Sequence, residues 1–153
     1  CRFVPSEFRP EPRREPRSVI TTVTLLLGLA ADQNFACTPT AVWDGDGPIW
    51  CAEGPKIRLA GIAAREMDGS CKPTQAREQL VRLLGGARGA LHTGHVRVAA
   101  PAMRCRSEGG AGGGRTAAWC VTTSGIDLSC AMVASGFAAL WPRYWKDHRC
   151  GRR

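Results

Sequence analysis

Eight cysteines are spread through 153 residues, and no two are spaced as Cys-x-x-Cys. Scatter of that kind favours a disulfide framework in an oxidising compartment over a zinc module. The length leaves room for one domain. Glycine stands at 18 residues, against about 11 at average usage, which favours a loop-rich or β-rich fold over a helical bundle. Hydrophobic residues at 44% and charged residues at 22% exclude both a disordered tail and a membrane bundle.

The formal charge is +8, from 21 basic and 13 acidic residues. Only Lys56, Lys72 and Lys146 are lysines. An arginine bias with abundant Ala and Gly follows from GC-rich coding as readily as from a polyanionic partner, so charge alone is a weak argument for nucleic acid.

Residues 1–17 are rich in Pro, Arg and Glu, without apolar periodicity. Arg13, Arg14 and Arg17 then precede an apolar run from Val19 to Leu29 and the small residues Ala30 and Ala31. A basic flank, a short apolar run and small residues before a cut after Ala30 form a signal-peptide pattern. The run is too short to span a bilayer, which takes about 20 residues. The division is therefore 1–31 as extension and signal peptide and 32–153 as one domain, secreted or periplasmic and without membrane insertion after processing. Residues 32–153 carry 16 basic and 10 acidic side chains and seven cysteines. An odd cysteine count implies one free thiol or an intermolecular bridge in an otherwise monomeric protein.

Along the domain, Val42-Trp43 and Ile49-Trp50 flank the turn signal Asp44-Gly45-Asp46-Gly47-Pro48, which predicts a hairpin. Lys56–Ile62 follows as a strand. Thr74–Leu84 has helical periodicity, with Thr74 as N-cap and Gly85-Gly86 as stop. Short strands broken at Thr93-Gly94 and Pro101 occupy 88–107. A glycine loop, Gly109–Gly114, leads into the strand Arg115–Val121. Leu128–Ser135 reads as a helix capped by Asp127 and ended by Gly136. The tail from Ala138 to Cys150 is aromatic and basic. The order is α+β, and five or so strands in about 85 residues can close a small barrel.

Several motifs carry chemistry weakly. Asp44-Gly45-Asp46-Gly47 opens like an EF-hand loop, but its twelfth position is Pro55 instead of Glu, and a hairpin turn explains the same residues. His92-x-x-His95 is accounted for by two surface histidines in a turn. A His148–Cys150 nucleophile conflicts with disulfide pairing. The predicted hairpin sets Cys37 opposite Cys51, Cys105 and Cys120 flank the glycine loop, and Cys130 on the last helix can tie down Cys150. That leaves Cys71 alone, as a free thiol or for an intermolecular bridge.

The order of features is more specific. VWDGDG at 42–47, IRLAGIAARE at 57–66, GRTAA at 114–118 and LSCAMVASGFA at 128–138 together resemble the staphylococcal nuclease (thermonuclease) family. The resemblance covers about Cys37 to Tyr144. It implies a five-stranded OB-type β-barrel with two or three appended short helices, and calcium-dependent hydrolysis of DNA or RNA. By motif, it places Arg58, Glu66 and Arg115 as the catalytic set, Asp46 and the Ala64 carbonyl as calcium ligands, and Tyr144 beside the substrate.

Such a set suits the chemistry. Two guanidinium forks clamp the charge that builds on a phosphodiester, and a carboxylate orients the attacking water. The sequence departs from the pattern where Ala63 replaces the second calcium carboxylate, which thins the site unless Asp68 or Asp44 compensates. The loop before Arg115 also lacks the family's acidic, basic and aromatic members. Two alternatives stand beside the nuclease: an inactive barrel gripping polyanions through Arg58, Arg115 and the tail Arg143–Arg153, and a disulfide-tied structural protein of the cell envelope.

Overall fold

The computed structural model of the chain describes residues 28–64 and 71–151, with 71–73 described as backbone only. Most of the expected leader, Glu66, Asp68 and the Cys71 side chain lie outside the described residues.

The bent segment 34–42 shapes the sheet. It forms β1 (Asn34–Cys37) and β2 (Pro39–Val42), interrupted only at Thr38. β2 pairs antiparallel with β3 (Ile49–Cys51), and β3 with β4 (Lys56–Leu59). β4 runs parallel to β8 (Arg115–Val121), β8 is antiparallel to β7 (Met103–Gly110), and β7 is antiparallel to β1. The short β6 (Val96–Arg97) adds to β2, giving the mixed order β1-β7-β8-β4-β3-β2-β6. Because β1 lies at one margin and β2 near the other, yet both belong to one stretch of chain, the sheet curls towards closure in a barrel-like shape. β5 (Ile62–Ala63) pairs separately with β9 (Ala139–Leu140).

Alternation along the strands sorts the side chains. Ile57 and Leu59 are fully buried, as are Ala118 and Cys120, while Lys56, Arg58, Arg115 and Ala117 face outward. Three helices complete an α+β fold. α1 (Cys71–Leu83), with Leu84 just beyond its end, and α2 (Leu128–Ala134) close the core through Leu80, Leu84, Leu128 and Met132, each no more than 1% exposed. Burying such a side chain is worth about 1.5–3 kcal/mol. α3 (Pro142–Trp145) is a single turn.

Three sequence expectations are corrected. The helix begins at Cys71, so Thr74 lies inside it and is not its N-cap. Pro73 is tolerated because first-turn N–H groups have no intrahelical partner to lose. The predicted strand Lys56–Ile62 breaks at Ala60-Gly61, where Gly61 takes φ +72°. β7 continues through Gly110, so the glycine loop is shorter than expected. The stop at Gly85-Gly86 (φ +87° and +94°) and the Asp127 cap, whose Oδ1 accepts from the Cys130 amide at 2.9 Å, are as read.

Disulfides join Cys37 to Cys51, Cys105 to Cys120 and Cys130 to Cys150. Three such bridges fit an oxidising environment. Leu29, at the end of the apolar run, donates its amide to Thr116 Oγ1 at 2.9 Å and so lies against the sheet. Among the described residues no helix is long and apolar enough to cross a membrane.

Candidate functional site

The parallel pairing of β4 with β8 aligns Lys56 with Arg115 and Arg58 with Ala117. Strand parity then puts Arg58 and Arg115 on the same outer face. Both line one cleft of about 680 Å³, floored by Leu59–Gly61 and Ala117 and walled by Trp141, Arg143, Tyr144 and Lys146 from the tail. Trp141 and Tyr144 meet edge to face at 4.5 Å and are 41% and 45% exposed. The Arg58 guanidinium lies 5.4 Å from the Trp141 ring centre, and that of Arg143 lies 5.6 Å from Tyr144.

The cleft is electropositive. Arg115 donates Nε to the Gly112 carbonyl and Nη2 to the Ala111 carbonyl, each at 3.1 Å. Carbonyl oxygens hold its fork in place without cancelling its charge. Among the described residues the one carboxylate in the lining, Glu108, is engaged by Lys146 Nζ at 2.8 Å, Trp119 Nε1 at 3.0 Å and Arg106 Nη2 at 3.2 Å. Burial alone would raise its pKa, but the Lys146 hydrogen bond and charge, with Trp119 and Arg106, bring it below the ordinary carboxylate value. Glu108 in turn raises the pKa of Lys146.

Asp46 sits beside this cleft and is 4% exposed. Its Oδ2 accepts from Arg58 Nη2 at 2.9 Å and from the Ala64 amide at 3.0 Å, while its own amide donates to Asp44 Oδ1 at 3.2 Å. The structure thus brings together Asp46, Arg58 and Ala64, and separately Arg58, Arg115 and Tyr144.

A calcium ion takes six to eight oxygens, typically with several carboxylates. Here Ala63 supplies a methyl group, and one of the two Asp46 carboxylate oxygens, Oδ2, already faces a guanidinium and an N–H. The described residues of this loop offer the carboxylates of Asp44 and Asp46, fewer acidic ligands than such a site usually gathers. Glu66 lies outside them. Two other groups of candidate metal ligands occur among the described residues: Cys37, Cys51 and Glu53, and Asp127, Cys130 and His148. Their cysteines are all in disulfides and offer no thiolate.

Two of the three histidines, His95 and His148, pack against indole rings. His95 lies between Trp43 and Trp50, with ring centres at 5.0 and 4.3 Å, and its Nδ1 shares a hydrogen bond with Thr93 Oγ1 at 2.9 Å. Burial, then the charges of Lys56 and Arg77, lower its pKa from the ordinary imidazole value. His148 stacks on Trp119 at 3.6 Å, and its Nε2 lies 2.7 Å from Asp127 Oδ2.

Sequence singled out Tyr144 and the run of tail cations, but not Trp141, Glu108, Lys56 or Trp50. The signal for Lys56 was present in strand parity, since Lys56 and Arg58 must share a face. Nothing in the local sequence signals that Trp141 stands over Arg58, because the tail folds back across β4 only in three dimensions. Comparison with known protein families, curated proteins and solved structures finds no match to this chain.

Proposed function

We propose that this protein is a thermonuclease-like module whose cleft binds single-stranded nucleic acid. The observation that carries this reading is the placement of Arg58 and Arg115 on adjacent parallel strands, facing Trp141 and Tyr144 across one cleft. Guanidinium forks suit phosphate oxygens, and exposed rings offer stacking surfaces to unpaired bases. The topology supports an OB-type barrel. With the bent segment 34–42 counted as one strand, five principal strands follow in the order β1/β2, β3, β4, β8, β7, and the last returns to the first. Secretion is proposed on the apolar run and the disulfides together.

Hydrolysis is the second reading, favoured by the juxtaposition of Asp46, Arg58 and Ala64, with Glu66 two residues further along the sequence. It requires a cation site richer than the described residues provide.

One experiment separates the readings. The oxidised protein is titrated against fluorescent single-stranded DNA and RNA at several salt concentrations, and the same oligonucleotides are incubated with calcium or with chelator. Binding that weakens steeply with salt, without cleavage, is the expected result, because phosphate contacts release counterions. Calcium-dependent cleavage lost in Glu66→Ala would replace the module by a nuclease. Absent or salt-insensitive binding would favour the envelope protein.

A further inference from the structure

The cationic face does not stop at the cleft. Trp50, Lys56 and Arg115 lie in register across β3, β4 and β8. Trp50 falls between the buried Ile49 and Cys51 and therefore points outward with the other two. Lys56 Nζ stands 5.1 Å from the Trp50 ring centre. Beyond Trp50 come His95 and then Trp43, in the stack described above. Arg77 Nη1 reaches the Trp43 and Gly94 carbonyls at 3.4 Å, which places a further cation at the backbone of this last residue.

From this arrangement we infer that a single-stranded nucleic acid leaving the cleft continues over β4 and β3 onto a second subsite, with Lys56 on phosphate and Trp50 as the base-stacking platform. The inference rests on the nucleic-acid reading of the cleft. Three features select this occupant. Cations and rings occur together along the path, with Arg115 and Lys56 leading to the rings of Trp50, His95 and Trp43, as phosphates and bases occur together along a single strand. The nearest acid on the β3–β4 turn, Glu53, is turned to the Thr38 amide and hydroxyl at 2.8 and 2.6 Å. His95 backs Trp50, with ring centres 4.3 Å apart, and braces the ring that would serve as the platform. Neighbouring strands lie about 4.8 Å apart, so Arg115 to Trp50 spans about 10 Å. Adding the rings makes a path for several nucleotides, at the lower end of the roughly 4–16 that OB folds cover.

The test compares fluorescent oligothymidylates of about 4 and about 12 nucleotides, lengths chosen to fill the cleft alone or the cleft and the extension. The wild-type oxidised protein should bind the longer one more tightly. Trp50→Ala should weaken the longer about tenfold, the loss of one stacked base, and leave the shorter within about twofold. Trp50→Phe should restore most of the loss, which a merely misfolded variant would not allow. Arg115→Ala should weaken both lengths. Unchanged affinity for the longer oligonucleotide in both Trp50→Ala and Lys56→Gln would overturn the second subsite while leaving the cleft in place. A wild-type protein that binds neither length would overturn the cleft reading, and the extension with it.

Discussion

Asp46 holds Arg58 through a single carboxylate oxygen, with the acid side chain 5% exposed and the arginine 20%. In a calcium site the same carboxylate would be spent on the ion, so the two roles predict opposite outcomes for one substitution. Asp46→Asn retains an acceptor for the Ala64 amide but removes the charge opposite Arg58. Losing a charged hydrogen bond in a partly buried setting costs about 1–3 kcal/mol, to be read from denaturant unfolding. The freed guanidinium should then bind single-stranded DNA more tightly at low salt, measured by anisotropy. A carboxylate that served mainly to hold calcium would show weaker, calcium-dependent function instead. Arg115 makes the complementary case. Arg115→Ala should leave stability nearly unchanged, because its partners are loop carbonyls near solvent, and should reduce the salt slope of binding by about 0.7 for one lost single-strand phosphate contact.

At the scale of elements, local chemistry was legible wherever a segment's own pattern decided its fate. The hairpin around Asp44–Pro48, the strand Arg115–Val121 and the helix capped by Asp127 all follow from turn residues, alternation and a capping side chain. The failures occurred where tertiary packing intervened. The stretch Lys56–Ile62 has a continuous strand composition, yet it turns at Gly61 because the Trp119–Trp145 pair, rings edge to face at 5.5 Å, occupies the space beside it. Such a partner, some 60 to 80 residues away, leaves no mark on the local sequence. The start of α1 was misplaced for another reason: a threonine at the edge of an apolar period resembles a cap even when the helix has begun three residues earlier. The turn supports a prediction. A Cβ at Gly61 would meet the ring of Trp119 and would sit at φ +72°. Gly61→Ala should therefore lower stability by about 2–4 kcal/mol, combining backbone strain with overpacking. It should also disturb the cleft, because the Trp141 amide donates to the Gly61 carbonyl at 2.8 Å. Thermal unfolding and oligonucleotide binding should fall together.

Across the whole molecule, the tail that walls the cleft is held at three points spaced along its last residues: Lys146 on Glu108, His148 on Asp127, and Cys150 on Cys130. The first is pH-dependent in a defined direction. Glu108 titrates lower in the folded protein than in the unfolded chain, so its contribution is present above about pH 4.5 and is lost as pH falls through the folded value. Lys146 is raised, so its part is present below about pH 10.5 and is lost as pH rises beyond. Glu108→Gln should lower the melting temperature by a constant amount at neutral pH, with the difference shrinking in acid.

The third point differs from the other described disulfides in accessibility. Cys37, Cys51, Cys105 and Cys120 are at most 7% exposed, whereas Cys150 lies at the surface. Attack by an external dithiol requires access to a sulfur. A mild dithiol should therefore reduce Cys130–Cys150 first, the reagent supplying two electrons and two protons as it cyclises to its own disulfide. The bridge spans 20 residues, so by chain entropy its loss costs about 3 kcal/mol. Because those 20 residues include Trp141, Arg143 and Tyr144, oligonucleotide affinity should weaken with the same dose of reductant while the curled sheet stays folded. Alkylation and mass spectrometry would identify the first pair released, and Cys150→Ser should reproduce the loss without reductant. Simultaneous release of the three described bridges would instead mean that global unfolding limits reduction and that the tail is as firmly seated as the sheet itself.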